Sequence, residues 1–193
     1  SPWNTSQYER NVITWFSSVQ LVLVGVVAYG NFELTGVLRR VGAVAGRRWI
    51  WLLFGCAFVF LAIDERFEFH EFVRDQLLRP ADVADDLPGI RSGDITMYVY
   101  LAVGLVAAGF LVEALRRNPT ALVLFGSAVM LSVAFTLVDT LEHDITAEWI
   151  WPRFWTSAFE ETAEIWAQGL FALSFLAVFR TDLQSLREQG AAS

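Results

Sequence analysis

Three short stretches of this chain crowd ten carboxylates and both of its histidines together. They are Asp64-Glu65-Arg66-Phe67-Glu68-Phe69-His70-Glu71, Asp139-Thr140-Leu141-Glu142-His143-Asp144 and Glu160-Glu161-Thr162-Ala163-Glu164. Only one cation, Arg66, lies inside them. Two neutral imidazoles do not balance that many carboxylates, whereas divalent cations would. Imidazoles and several carboxylates projecting from facing helices form the ligand set of dinuclear carboxylate centres in helical bundles. Oxygen and imidazole ligands suit iron, manganese or zinc, and iron is the expected metal ahead of the other two. The expected metal ligands are Asp64, Glu68, His70, Glu71, Asp139, Glu142, His143, Glu161 and Glu164. That is more than one pair of ions needs, so Glu65 and Glu160 are expected to act as catalytic acid or base groups. Soluble di-metal bundles place a Glu three residues before each ligand His. Here Phe67 and Thr140 hold those places, a departure from that pattern.

The elements that must position these residues are apolar. Of 193 residues, 55% are hydrophobic and 18% charged, where soluble domains carry about 25% charged residues. Mean hydropathy is +0.45. An all-α integral membrane protein is therefore expected, with residues 1–193 forming one transmembrane helical domain. A spanning helix needs about 20 apolar residues, and five segments qualify: about 11–38, 49–72, 94–115, 119–146 and 154–179. No signal peptide is expected. A connector near Arg79–Gly93, with Pro80, Pro88, Gly89 and several Asp, reads as a water-exposed loop. The net charge of −7 argues against nucleic acid as a partner. The single cysteine, Cys56, excludes multi-cysteine metal sites and reads as a small core residue.

All 14 basic residues are Arg, and their placement predicts orientation. Arg39, Arg40, Arg47, Arg48, Arg116, Arg117, Arg180 and Arg187 fall on one side, expected to be cytoplasmic. The N-terminus is then outside and the C-terminus inside. Of 21 acids, only Glu33, Glu113, Asp182 and Glu188 share the arginine side. The expected location is a bacterial or archaeal cytoplasmic membrane with the site on its outer side. Trp49 and Trp51 suit the inner interface.

Counted from the arginines, Asp64, Glu68, Asp139, Glu160 and Glu164 all lie about 24–33 Å along their helices, in one layer near the outer edge. Ser17, Ser18, Gln20, Asp94, Thr96, Tyr98 and Tyr100 bring the other two spans into that layer, the tyrosines as interface aromatics. On a straight helix Asp64, Glu68 and Glu71 share one face, but His70 points about 120° away from Asp64 and Glu68. Either the helix ends or distorts there, or His70 is not a ligand.

The pattern Asp-Glu-x4-His-Glu at Asp64, Glu65, His70 and Glu71, with the later Glu-Glu-x2-Glu at Glu160, Glu161 and Glu164, resembles a group of uncharacterised bacterial multi-pass membrane proteins. The resemblance covers two helix ends and carries no activity to transfer. It implies that His70 belongs with the cluster despite its angle. The alkaline ceramidase-like hydrolases, with three His around zinc, are excluded by a chain holding two.

The expected function is a membrane-embedded metalloprotein with a dinuclear carboxylate and histidine site. The favoured class is a non-haem di-iron oxidoreductase acting on a lipidic or membrane-accessible substrate. Alternatives are a metal or proton transport protein, a non-catalytic subunit or assembly factor, and a metal-dependent membrane hydrolase. Expected partners are the lipid bilayer, a lipidic substrate or redox partner, and a homo-oligomer or membrane complex.

Overall fold

The computed structural model describes residues 5–43, 47–67, 69–78, 80, 95–145 and 153–192. The side chains of 5–11, 71, 74–75, 97, 135, 137–145, 153–161 and 192 lie outside the described set. The described residues are helical throughout, apart from short turns. The elements are α1 (Thr5–Arg40), α2 (Arg48–Phe67), the short α3 (Phe69–Val73) running into a π-helical turn (Arg74–Leu78), α4 (Ile95–Leu115), α5 (Pro119–Ile145) and α6 (Arg153–Ala192). Three described helical stretches are long and apolar enough to cross a membrane: Val12–Arg40, Tyr98–Leu115 and Thr162–Ala191. Helix α2 falls short of that description because Asp64, Glu65 and Arg66 occupy its last turn.

Local chemistry sets the ends. At Gly42, φ is +77°. The Gly42 amide donates to the Arg39 carbonyl at 3.2 Å and the Ala43 amide to Leu38 at 2.9 Å. This paired pattern closes α1 and needs a residue tolerant of left-handed backbone. Asn118 caps α5, accepting from the Ala121 amide at 3.0 Å, with Pro119 in the first helical position. The Asn118 amide also donates to the Ala177 carbonyl at 3.1 Å and to Thr181 Oγ1 at 2.9 Å. One residue therefore starts α5 and ties it to α6.

Helix α1 packs on both α2 and α6, α6 packs in turn on α5, and α4 lies outermost against α5 and, more lightly, α2. The core is aromatic. Phe175, fully buried, meets Trp51 edge-on at 5.3 Å and contacts Phe54, Phe58 and Phe125. Asn31, also fully buried, donates to the Phe175 carbonyl at 3.0 Å, and Ser174 donates to the Ala121 carbonyl at 2.8 Å. Arg48 begins α2 by donating to the Phe32 carbonyl at 3.0 Å and lying 3.7 Å over the Phe32 ring.

Three sequence expectations change. Trp51 is a core residue, 3% exposed, not an interface anchor. Cys56 faces outward rather than into the core. The last helix continues well past Phe179, to Ala192.

Helices α1 and α2 touch closely at paired glycines. A Cβ on Gly25 would meet the Gly55 carbonyl oxygen and Val59 Cγ2 at 3.1 Å each. Small residues at such crossings let backbones approach. Gly25→Leu should therefore lower the thermal midpoint in detergent markedly, by about 1–3 kcal/mol of overpacking. Gly104→Leu, where an added Cβ meets nothing within 4 Å, should leave it unchanged. Equal melting of the two variants would remove the crossing from the account.

Candidate functional site

A carboxylate buried in an apolar bundle must find donors. Asp64, 4% exposed, finds two on the same residue. The His70 backbone amide donates to Oδ1 at 2.9 Å, and His70 Nδ1 lies 2.9 Å from Oδ2. A straight helix does not bring positions six apart together, so the chain between Asp64 and His70 turns and His70 reaches back to Asp64. The angle that separates them on a straight helix disappears with the straight helix. When Asp64 is ionised it can only accept, so Nδ1 carries the proton. Nε2 then remains as the ring nitrogen with a lone pair for a ligand or a proton. On α4, Tyr100 interacts electrostatically with the same carboxylate, its ring held edge-on to Phe60 at 6.1 Å.

A second polar group joins α1 to α6. Ser17 Oγ donates to Glu164 Oε1 at 3.1 Å. Gln168 Nε2 donates to Ser17 Oγ at 2.7 Å and to Glu164 Oε1 at 2.9 Å. One turn along α1, Gln20 Nε2 donates to the Ile165 carbonyl at 3.1 Å. Ser17 and Gln168 are buried and Glu164 is half-buried. Both glutamines spend their N–H groups in this way. Gln20 Oε1 and Gln168 Oε1 are left buried, and no described residue donates to them.

Helix register relates the two groups. Gly25 opposes Gly55. Eight residues back along α1 is Ser17, and eight residues on along α2 is Ile63, beside Asp64. The Asp64–His70 pair and the Ser17–Glu164–Gln168 group therefore stand at one level. On the other seam, Ser174 meets Ala121 and Asn118 meets Ala177.

Of the residues expected at the site, Asp64 and His70 meet, Glu164 meets Ser17 and Gln168, and Glu65 is half-buried on α2. Glu68 lies outside the described residues. So do the side chains of Glu71, Asp139, Glu142, His143, Glu160 and Glu161, although their backbones belong to α3, α5 and α6. Among the described residues no three His, Cys, Asp or Glu side chains converge. Gln168 lies outside the residues expected at the site. Its spacing of four from Glu164 is the signal that finds it.

A sequence profile for a domain of unknown function, DUF8692, matches residues 5–179. No curated protein and no solved structure matches the chain.

The pairing predicts the tautomer of His70. In an ¹⁵N-histidine-labelled His143→Gln protein at neutral pH, the remaining imidazole should show a protonated Nδ1 and an unprotonated Nε2. Asp64→Ala should move the proton to Nε2. An unchanged nitrogen spectrum in that variant would show that Asp64 does not orient the ring.

Proposed function

The chain belongs to the DUF8692 family, defined by a domain of unknown function, and from that premise we propose that it is a membrane-embedded metalloprotein. In this reading residues 1–193 form one bundle of five spans with the N-terminus outside and the C-terminus in the cytoplasm. A carboxylate and histidine centre, dinuclear and loaded with iron ahead of manganese or zinc, sits near the outer face. The membrane is the cytoplasmic membrane of a bacterium or archaeon.

The observation that carries the proposal is the hold of Asp64 on His70 through both carboxylate oxygens. Ligand histidines usually give their second ring nitrogen to a carboxylate, which fixes the tautomer and raises the basicity of the first. Asp64 thereby moves from ligand to positioning residue, and His70 becomes a ligand through Nε2. Glu164 is the second described ligand, steadied by Ser17 and Gln168. The donor chemistry suits a cation: this level holds two carboxylates and two buried amide oxygens to which no described residue donates. Glu68, Glu71, Asp139, Glu142, His143 and Glu161 complete the proposed set, with Glu65 and Glu160 moving protons.

Bound iron would supply redox chemistry, and the substrate would be lipidic or reach the site from the outer leaflet. The chain's own part is to hold the imidazole in one tautomer and keep Glu164 in place. It also closes the inner side with Leu21, Val24 and Ala28, all buried. That apolar plug between Gln20 and Asn31 ranks transport below metal-centred chemistry. A second reading, a subunit of a larger membrane complex, is favoured by α4. Its Val99, Val103, Val106 and Phe110 are all exposed.

Elemental analysis of protein purified without chelators or metal-affinity resin should find stoichiometric iron. Glu164→Gln and His70→Gln should strip most of it. Asp64→Asn should weaken metal affinity about 10–100-fold, the usual effect of losing an outer hydrogen bond to a ligand. Wild-type protein without a stoichiometric transition metal would overturn the proposal.

A further inference from the structure

The opposite, arginine-rich end of the bundle holds a separate feature. A cleft of about 200 Å³ opens there, lined by parts of every long helix or its adjoining turn. Thr35 and Trp51 form its buried floor, each 3% exposed. Arg47, Glu113, Arg117 and Asp182 form its charged lining. The cleft exists because α4 packs mainly on α5, so its inner end leaves a gap beside α1 and α6.

The charges face the cleft without being consumed. Arg47 and Glu113 stand 3.9 Å apart with 55% and 65% of their side chains exposed, a loose pair of small energetic worth. Arg117 and Asp182 line the same cleft. Two guanidiniums and two carboxylates sum to zero while keeping their signs apart. A purely anionic guest would meet Glu113 and Asp182, and a purely cationic guest would meet both arginines. A group with both signs a few bonds apart meets neither obstacle. Guanidiniums suit phosphate oxygens, and a primary ammonium offers three donors to carboxylates.

Depth and size point the same way. The apolar stretches of α1 and α4 end beside the cleft, at Arg40 and Leu115, which is where one leaflet's headgroups stand on a spanning bundle. Basic pockets between helices at this depth are known headgroup sites. The volume equals about six or seven waters at about 30 Å³ each, room for a headgroup while acyl chains run along exposed Val103 and Val106 of α4. We propose that this cleft binds the headgroup of an aminophospholipid of the phosphatidylethanolamine type. Its phosphate lies between Arg47 and Arg117, and its ammonium meets Glu113 and Asp182.

Native mass spectrometry of the intact chain in mild detergent tests this, with dioleoyl lipids titrated singly. Phosphatidylethanolamine should bind about tenfold more tightly than phosphatidylglycerol or phosphatidylcholine. Phosphatidylglycerol has no ammonium, and the methylated ammonium of phosphatidylcholine has no donors. Free phosphoethanolamine should compete at high concentration, and inorganic phosphate should not. Arg117→Gln should reduce phosphatidylethanolamine binding about tenfold. The double variant Glu113→Gln/Asp182→Asn leaves the arginines alone and should reverse the preference toward phosphatidylglycerol, a gain that misfolding cannot produce. Equal binding of all three lipids, or an unreversed preference in the double variant, would overturn the proposal. Neither outcome bears on the metal content at the other end.

Discussion

The approach of α1 to α2 at Gly25 and Gly55 fixes the level at which everything else in the bundle meets. With backbone atoms of one helix against those of the other, the two cannot slide without a steric penalty, and Ser17 is held opposite the turn that carries Asp64. Helix α1 then hands that level to α6 through three hydrogen-bonded points: Ser17 to Glu164, Gln20 to Ile165, and Asn31 to Phe175. Helix α6 passes it to α5 through Ser174 and Asn118. Each link is a side chain bonded to a backbone carbonyl or a buried carboxylate. Between helices in an apolar medium such bonds add directionality that dispersion contacts lack. The aromatic core around Phe175 fills the space these links define.

These links have an electrical consequence. Gln20, Asn31 and Gln168 turn their N–H groups toward a carbonyl, a hydroxyl or a carboxylate, and each one's own oxygen is what remains. Among the described residues, nothing donates to the buried amide oxygens of Gln20, Asn31 and Gln168. Two of the three stand at the level of Asp64 and Glu164. Buried acceptors without donors cost about 1–3 kcal/mol each. A region with several acceptors and few donors is one where a cation or a donating water lowers the free energy.

Much of the architecture was legible in the sequence because it rests on local rules. Pro119 after a capping Asn118, the arginine pairs flanking apolar runs, and the apolar runs themselves each mark a helix without reference to the rest of the chain. The site was legible in content but not in geometry. Angular arithmetic on α2 assumed a straight helix, and His70 fell on the wrong face. The turn that brings His70 back to Asp64 is not announced by any residue type between them as it would be by a proline. Trp51 was misplaced for a related reason. Its position beside Arg48 suggests an interface, but burial depends on which face α1 covers. Cys56 is the converse, a small residue on the uncovered face. The spacing of four from Glu164 points to Gln168, but its other partner, Ser17, lies 151 positions away in the chain, and no local pattern supplies that.

The two described carboxylates at the acid-rich level are buried by different means, and the difference limits where such groups can sit. Helix interiors offer no spare backbone donors, because each amide is already bonded four residues back. Asp64 draws on the amide of His70, six residues on, and the carboxylate is 4% exposed. Glu164 lies inside the long α6 and has no such amide. Its described donors are side chains, Ser17 from the neighbouring helix and Gln168 one turn along its own, and it is only half-buried. Burial of Asp64 therefore depends on His70 reaching back to it, while that of Glu164 depends on α1 staying at its level. Because the Gly25–Gly55 crossing fixes α1 against α2, a shift there would strip Ser17 from Glu164 and also change what Asp64 faces, although neither carboxylate touches the crossing.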